Sequence, residues 1–159
     1  MRGTLLAVLL LGACQPVRIA SERERRGEVD GRVFEFSSSA SDDVVGRGEW
    51  TLRLRGDSAW IAWSQDGRSH EYGTFALGAD QAERLWSAIV RVNVPARESS
   101  QRRGRASEVS FLFSLTDPGK PTRSVEIWDT DAKEDRELAE LVQLVEHVIA
   151  GSTRKNVRF

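Results

Sequence analysis

Polar and apolar residues alternate with a period of two in several stretches of this chain. Between Glu49 and Arg55, Trp50, Leu52 and Leu54 fall on one side and Thr51, Arg53 and Arg55 on the other, the pattern of a half-buried strand. Gly56-Asp57-Ser58 offers a turn. Ala59 to Ser64 then reads as the return strand, with Trp60, Ala62 and Ser64 opposed to Ala59, Ile61 and Trp63. Gln65-Asp66-Gly67-Arg68 carries the Asp-Gly hairpin signature. Ser69 to Ala76 completes a meander in which His70, Tyr72 and Thr74 alternate with Glu71 and Phe75. Upstream, Arg32 to Phe36 is a looser alternation that runs into a loop, Ser37 to Asp43. Downstream, Glu108 to Thr116 sets Val109, Phe111, Phe113 and Leu115 against Ser110, Leu112 and Ser114. Asp117-Pro118-Gly119-Lys120 turns the chain, and Arg123 to Trp128 returns with Val125 and Ile127 inward.

Two stretches change the period from two to 3.6. Ala82, Leu85, Trp86, Ile89 and Val90 share one helical face, Asp80 stands at a cap position with Glu83 three residues on, and Pro95 stops the run. Leu138, Leu141, Val142, Val145, Val148 and Ile149 form a second stripe, which Asp131 and Glu134 open and Gly151 closes. Residues 96–107 between helix and strand are polar and basic and read as a mobile loop, and Ser152 to Phe159 as a basic, frayed tail. Strands come in runs, without a helix after each, which argues against a doubly wound parallel sheet. The expectation is an α+β domain over residues 32–150: a mostly antiparallel sheet of about five or six strands with two helices packed on one face.

The amino-terminal end follows another rule. Arg2 precedes the apolar run Leu5 to Leu11, which is too short to span a bilayer, and the small residues Gly12 and Ala13 follow. The run Leu11-Gly12-Ala13-Cys14 resembles the lipobox of bacterial lipoproteins. The resemblance implies a signal peptide over residues 1–13, cleavage between Ala13 and Cys14, a diacylglyceryl group on the Cys14 sulfur, and membrane attachment through acyl chains. Two or more chains give stable anchoring where one gives marginal binding. Gln15, in place of the aspartate that retains enterobacterial lipoproteins at the inner membrane, points to the outer membrane. Residues 14–31 are rich in Arg, Glu, Ser and Gly and read as a flexible tether, with a short mixed-charge helix as the alternative.

Charge and composition narrow the chemistry. The chain has 23 basic and 24 acidic residues, a balance that gives no sign of nucleic acid, and its five tryptophans argue against disorder. Its one cysteine is Cys14, so once that is acylated the body has no thiol for disulfides, metal ligation or nucleophilic attack. His70 and His147 lie in different elements without a matching ligand spacing. Asp129, Asp131, Glu134 and Asp135 lack the glycine and terminal glutamate of a calcium loop and fit helix capping instead. No serine sits in Gly-x-Ser-x-Gly, and no glycine-rich phosphate loop occurs. The expectation is therefore no catalytic residue, no metal and no cofactor. A binding surface remains open: Trp60 and Trp63 straddle one strand, and Arg97, Arg102, Arg103 and Arg105 could meet phosphate-bearing lipid or acidic glycan, with a solvated loop as the plain reading.

The order of elements, with Leu85-Trp86-Ser87-Ala88-Ile89-Val90 in the first helix, Val109-Ser110-Phe111 in a strand and Val125-Glu126-Ile127-Trp128 in the next, is similar to small bacterial domains of the emfourin type. Some of these inhibit thermolysin-like metalloproteases, and the resemblance implies that a loop such as 37–47 or 96–107 would enter a protease cleft. Ser38-Ser39 replaces the double glycine of that family, and no inhibitory residue carries over. The first expectation is thus a lipid-anchored, non-enzymatic binding or accessory module of the cell envelope. An emfourin-like inhibitor is the second and an envelope hydrolase the third.

Overall fold

A computed structural model describes residues 31–40, 48–105, 108–157 and 159. The signal segment, Ala13, Cys14 and the tether to residue 30 lie outside the described residues, as do loop positions 41–47. Six strands form one antiparallel sheet: β1 (Val33–Ala40), β2 (Glu49–Arg55), β3 (Ser58–Gln65), β4 (Arg68–Ala76), β5 (Val109–Thr116) and β6 (Arg123–Trp128), in the order β4-β3-β2-β1-β5-β6. Helices α1 (Ala79–Val92) and α3 (Arg136–Thr153) pack on one face of it, and a short α2 (Asp129–Glu134) joins β6 to α3. The fold is α+β.

β1 sits at the centre because Phe34↔Leu54 and Phe36↔Leu52 pair it to β2 while Phe34↔Leu115 and Phe36↔Phe113 pair it to β5. The strand continues through the serines that looked like a loop. Ser38 is buried and its Oγ accepts from Trp50 N at 3.1 Å, and the Ser39 and Ser110 hydroxyls bond across the strands. Two flanking strands overrode the weak strand preference of serine.

Phe34, Phe36, Leu52, Leu54, Ile61, Phe111 and Phe113 from the sheet meet Leu85, Trp86, Ile89, Leu141 and Ile149 from the helices in one core. Each such side chain contributes roughly 1.5–3 kcal/mol on burial. Trp86 also donates Nε1–H to the Gly56 carbonyl at 2.8 Å, fixing α1 over the β2–β3 turn. Val90, expected on the apolar face, is 44% exposed, and Ala88 and Val92 are buried in its place.

Several boundaries differ from the sequence reading. α1 is capped at Gly78 without a side-chain bond, so Asp80 lies inside its first turn. The cap of α3 is Asp135, which accepts from the Glu137 and Leu138 amides, and Asp131 belongs to α2. Gly151 lies within α3, which runs on to Thr153 and ends at Arg154 in the left-handed conformation. Tyr72 and Phe75, placed on opposite faces by strict alternation, both pack against the core. A bulge between Ile61 and Ala62 in the β3–β4 pairing, with Gly73 at φ +93°, shifts the parity.

The gently basic tail is not frayed at its end. Val157 is buried, and the Phe159 ring stands 5.2 Å from Phe36 and 5.7 Å from Phe111. The folded body thus extends past residue 150. Replacing Phe159 by Ala should cost about 2 kcal/mol of stability in urea unfolding. An unchanged midpoint would show that the ring does not pack there.

Candidate functional site

The helices occupy one face of the sheet, and among the described residues no helix packs on the other. On that outer face the register aligns Thr74, Trp60, Arg53, Glu35, Ser114 and Ser124 in one row. Arg53 Nε and Nη2 both approach Glu35 Oε2 at 2.8 Å, and the guanidinium carbon lies 5.7 Å from the Trp60 ring centroid. Trp60 is half-buried. Leu112, 41% exposed, and small hydroxyl side chains fill much of the remaining face. Trp63 lies on the opposite, helix-bearing face, half-buried, with Gly48 against its indole nitrogen.

The basic loop is elsewhere, and it is folded. Ser100 N donates to Glu126 O at 2.9 Å, the Glu126 and Trp128 amides donate to the Ser99 and Ser100 hydroxyls, and Trp128 Nε1 donates to Arg102 O at 3.1 Å. These bonds lay residues 99–102 along the outer edge of β6 as a strap. Gly104 lies so close over Trp128 that a Cβ would fall 2.4 Å from its ring. Only glycine fits at that approach.

Arg102 holds the strap closed. Its Nη1 and Nη2 reach Glu108 Oε2 and Oε1, each at 2.7 Å, while Nε and Nη2 reach Asp131 Oδ1 at 3.0 and 2.8 Å. Thr130 bonds both Arg102 and Glu108, Arg105 N donates to Glu108 at 2.6 Å, and Ser100 donates to Asp131 at 2.5 Å. The Glu108 side chain is 4% exposed, so its charge is tolerated only because these donors surround it. They hold Glu108 well below the ordinary carboxylate range, with Arg102 the strongest, then Thr130 and the Arg105 amide. The hydrogen bonds that Arg102 donates to Glu108 and then to Asp131 push its own pKa upward in turn. The Ser100 hydroxyl, followed by Arg102, holds Asp131 low.

Arg97 ties the helices together. It donates to Val92 O at the end of α1 and to Asp135 and Glu137 at the start of α3, at 2.6, 2.6 and 2.9 Å. Desolvation raises the Asp135 carboxyl, but Arg97 and the Leu138 amide outweigh it and the net shift is downward. Asp129 pairs with Lys133 at 2.7 Å. The four acids around residue 130 therefore lie in separate surroundings, three of them facing cations.

The sequence grouped Trp60 with the four loop arginines, and the fold separates them. Trp60 lies one strand from the β4 edge, on the outer face, and the loop lies along the β6 edge. Arg97 and Arg102 are engaged internally, and Arg103 and Arg105 are exposed. Arg53 and Glu35, which share the row of Trp60 across the register, and Leu112, farther along the same face on β5, carried no motif. Alternation alone could have placed them on the outer face. His70 stacks edge-on against Tyr72 at 4.4 Å, and His147 is exposed on α3. Among the described residues no group of His, Cys, Asp and Glu side chains is arranged to hold a metal ion, and no helix is long and apolar enough to cross a membrane.

No family model matches the chain, and no curated protein matches it either. The likenesses to lipoprotein signals and to emfourin domains rest on the residue patterns quoted above.

Glu108 fixes the pH behaviour of the strap. A carboxyl whose pKa is lower in the folded state than its unfolded value of about 4.3 contributes stability above that value and loses it as pH falls further. Arg102→Ala should lower the urea midpoint at pH 7, and the gap from the unaltered protein should narrow as pH drops through the carboxylate range. A gap of constant size would show that the pair does not form.

Proposed function

We propose that this chain is a non-catalytic binding or accessory module of the bacterial cell envelope. In this reading it is acylated on Cys14, held at the membrane, most simply the outer membrane, and presents the outer face of its sheet to a protein partner. The observation that carries the binding reading is Trp60. It lies on a sheet face without a covering helix among the described residues, beside the exposed Arg53–Glu35 ion pair. Tryptophan beside arginine is the composition of interface anchors. The membrane reading draws on the Leu11-Gly12-Ala13-Cys14 motif. The non-catalytic reading draws on the acids, whose perturbed members are locked by arginines in their charged form and so have no proton to exchange near neutral pH.

An emfourin-like inhibitor remains the second reading on the strength of the element order. It has fewer loops to offer, since Ser37 to Ala40 belong to β1 and residues 99–102 are strapped to β6.

Cells grown with labelled palmitate should label the unaltered chain and leave Cys14→Ala unlabelled and outside the membrane fraction. Label retained by Cys14→Ala would sink the anchor. In parallel, titration against a thermolysin-type protease should give no inhibition, and stoichiometric inhibition would favour the second reading.

A further inference from the structure

The strands of the sheet have two unlike ends. One end gathers the chain's entry at Gly31, the β2–β3 turn at Gly56-Asp57, the β5–β6 turn at residues 117–122 and the close of β4. α1 starts there, one turn after Leu77 N bonds Asp57 O at 2.8 Å. The Arg91–Glu140 pair at 2.6 Å sets α3 antiparallel to α1, so α3 finishes at the same entry end.

That end is basic. It carries Arg32, Arg55, Lys120, Arg123, Arg154 and Lys155. Among the described residues the acids there are Asp57, Asp80 and Asp117, so six cations face three anions, in a chain whose overall charge is −1. Asp117 holds Arg32 at 2.8 Å and Lys120 at 3.2 Å. Arg55, Arg123, Arg154 and Lys155 are exposed and make no ion pair with the described residues. At the far end, by contrast, Arg97 and Arg102 face Asp131, Asp135, Glu137 and Glu108.

We propose that the entry end is a docking surface for anionic phospholipid, the headgroup layer of the bilayer that holds the Cys14 acyl chains. The proposal rests on the lipid-anchor reading. The chain between Cys14 and Gly31 spans at most roughly 60 Å when fully extended. It joins the body at this end, so the end nearest the anchor is also the cationic one. Lys and Arg side chains are drawn to an anionic leaflet within about a Debye length, about 10 Å at 0.1 M salt. Four exposed cations around one end, without an acidic partner among the described residues, would turn a body on a leash into one seated upright. The outer sheet face and Trp60 would then stand along the membrane normal, clear of the lipid.

The test uses the full-length acylated chain in vesicles containing a headgroup quencher. With Cys14 acylated, a single new cysteine is the one reactive thiol, and a fluorophore goes on Ala79→Cys at the entry end or Ser69→Cys at the far end, both exposed positions. In phosphatidylglycerol vesicles the label at 79 should be quenched roughly twofold or more above the label at 69, an advantage that vanishes in phosphatidylcholine or near 1 M salt, where the Debye length is about 3 Å. Reversing Arg55, Arg123 and Lys155 to Glu together should abolish it, and Arg103→Glu with Arg105→Glu should not. Equal quenching at both sites, indifference to salt, or the same loss in the control pair would overturn the docking while leaving an acylated Cys14 in the mass spectrum. A free Cys14 thiol would overturn the anchor, and the docking with it.

Discussion

One apolar sheet face has to be covered, and the rest of the molecule is arranged to cover it. Phenylalanines at 34, 36, 111 and 113 lie side by side on the adjacent strands β1 and β5, and no single helix is broad enough to screen them together with Leu52, Leu54 and Ile61. α1 and α3 therefore lie antiparallel on the same side, linked by Arg91–Glu140 and by the reach of Arg97 from one helix end to the other. With both helices on one side, the opposite face of the sheet keeps its serines, threonines and Trp60 toward the surroundings. The candidate interface is thus a by-product of how the core was closed.

The sheet's edges are managed in two ways. β6 is covered by its own upstream loop, which supplies hydroxyls to the strand amides and is held by a guanidinium between two carboxylates. β4 carries a bulge and the charged residues Arg68 and Glu71. Both are devices that discourage unwanted strand addition. The arginines of the loop, which composition alone assigns to solvent or to an anionic ligand, serve this purpose in part. A run of like charges is solvated only where the fold brings no counter-charge to it, and here the first turn of α2 brings Asp131 and Thr130 against Arg102.

Much of the architecture was legible in the alternation of residues. β2, β3, β5 and β6 follow the period of two almost to the residue, and the Asp-Gly turn between β3 and β4 is where its signature put it. What escaped was decided by partners distant in sequence. Ser37 to Ala40 became strand because two neighbours flank them, Tyr72 changed face because of a bulge, and Asp135 displaced Asp131 as a cap because a separate short helix intervened. The tail was misjudged for the same reason, since nothing in Val157 or Phe159 announces a cavity edge at Phe36. Of the site, Trp60 was visible and its setting was not. The register that brings Arg53 and Glu35 beside it is a property of three paired strands, and the cations of the entry end come from four segments that only topology gathers.

The central position of β1 has a temporal consequence. Val33 pairs with Thr116, and Ala40 with Val109, so the first strand to leave the ribosome waits for one made much later. The β2–β4 meander is local and can pair early, but half of the middle strand's backbone stays unmatched until β5 arrives. Chains dominated by such distant pairings collapse slowly. A nascent chain of this topology cannot complete its sheet until β5 and β6 have been made.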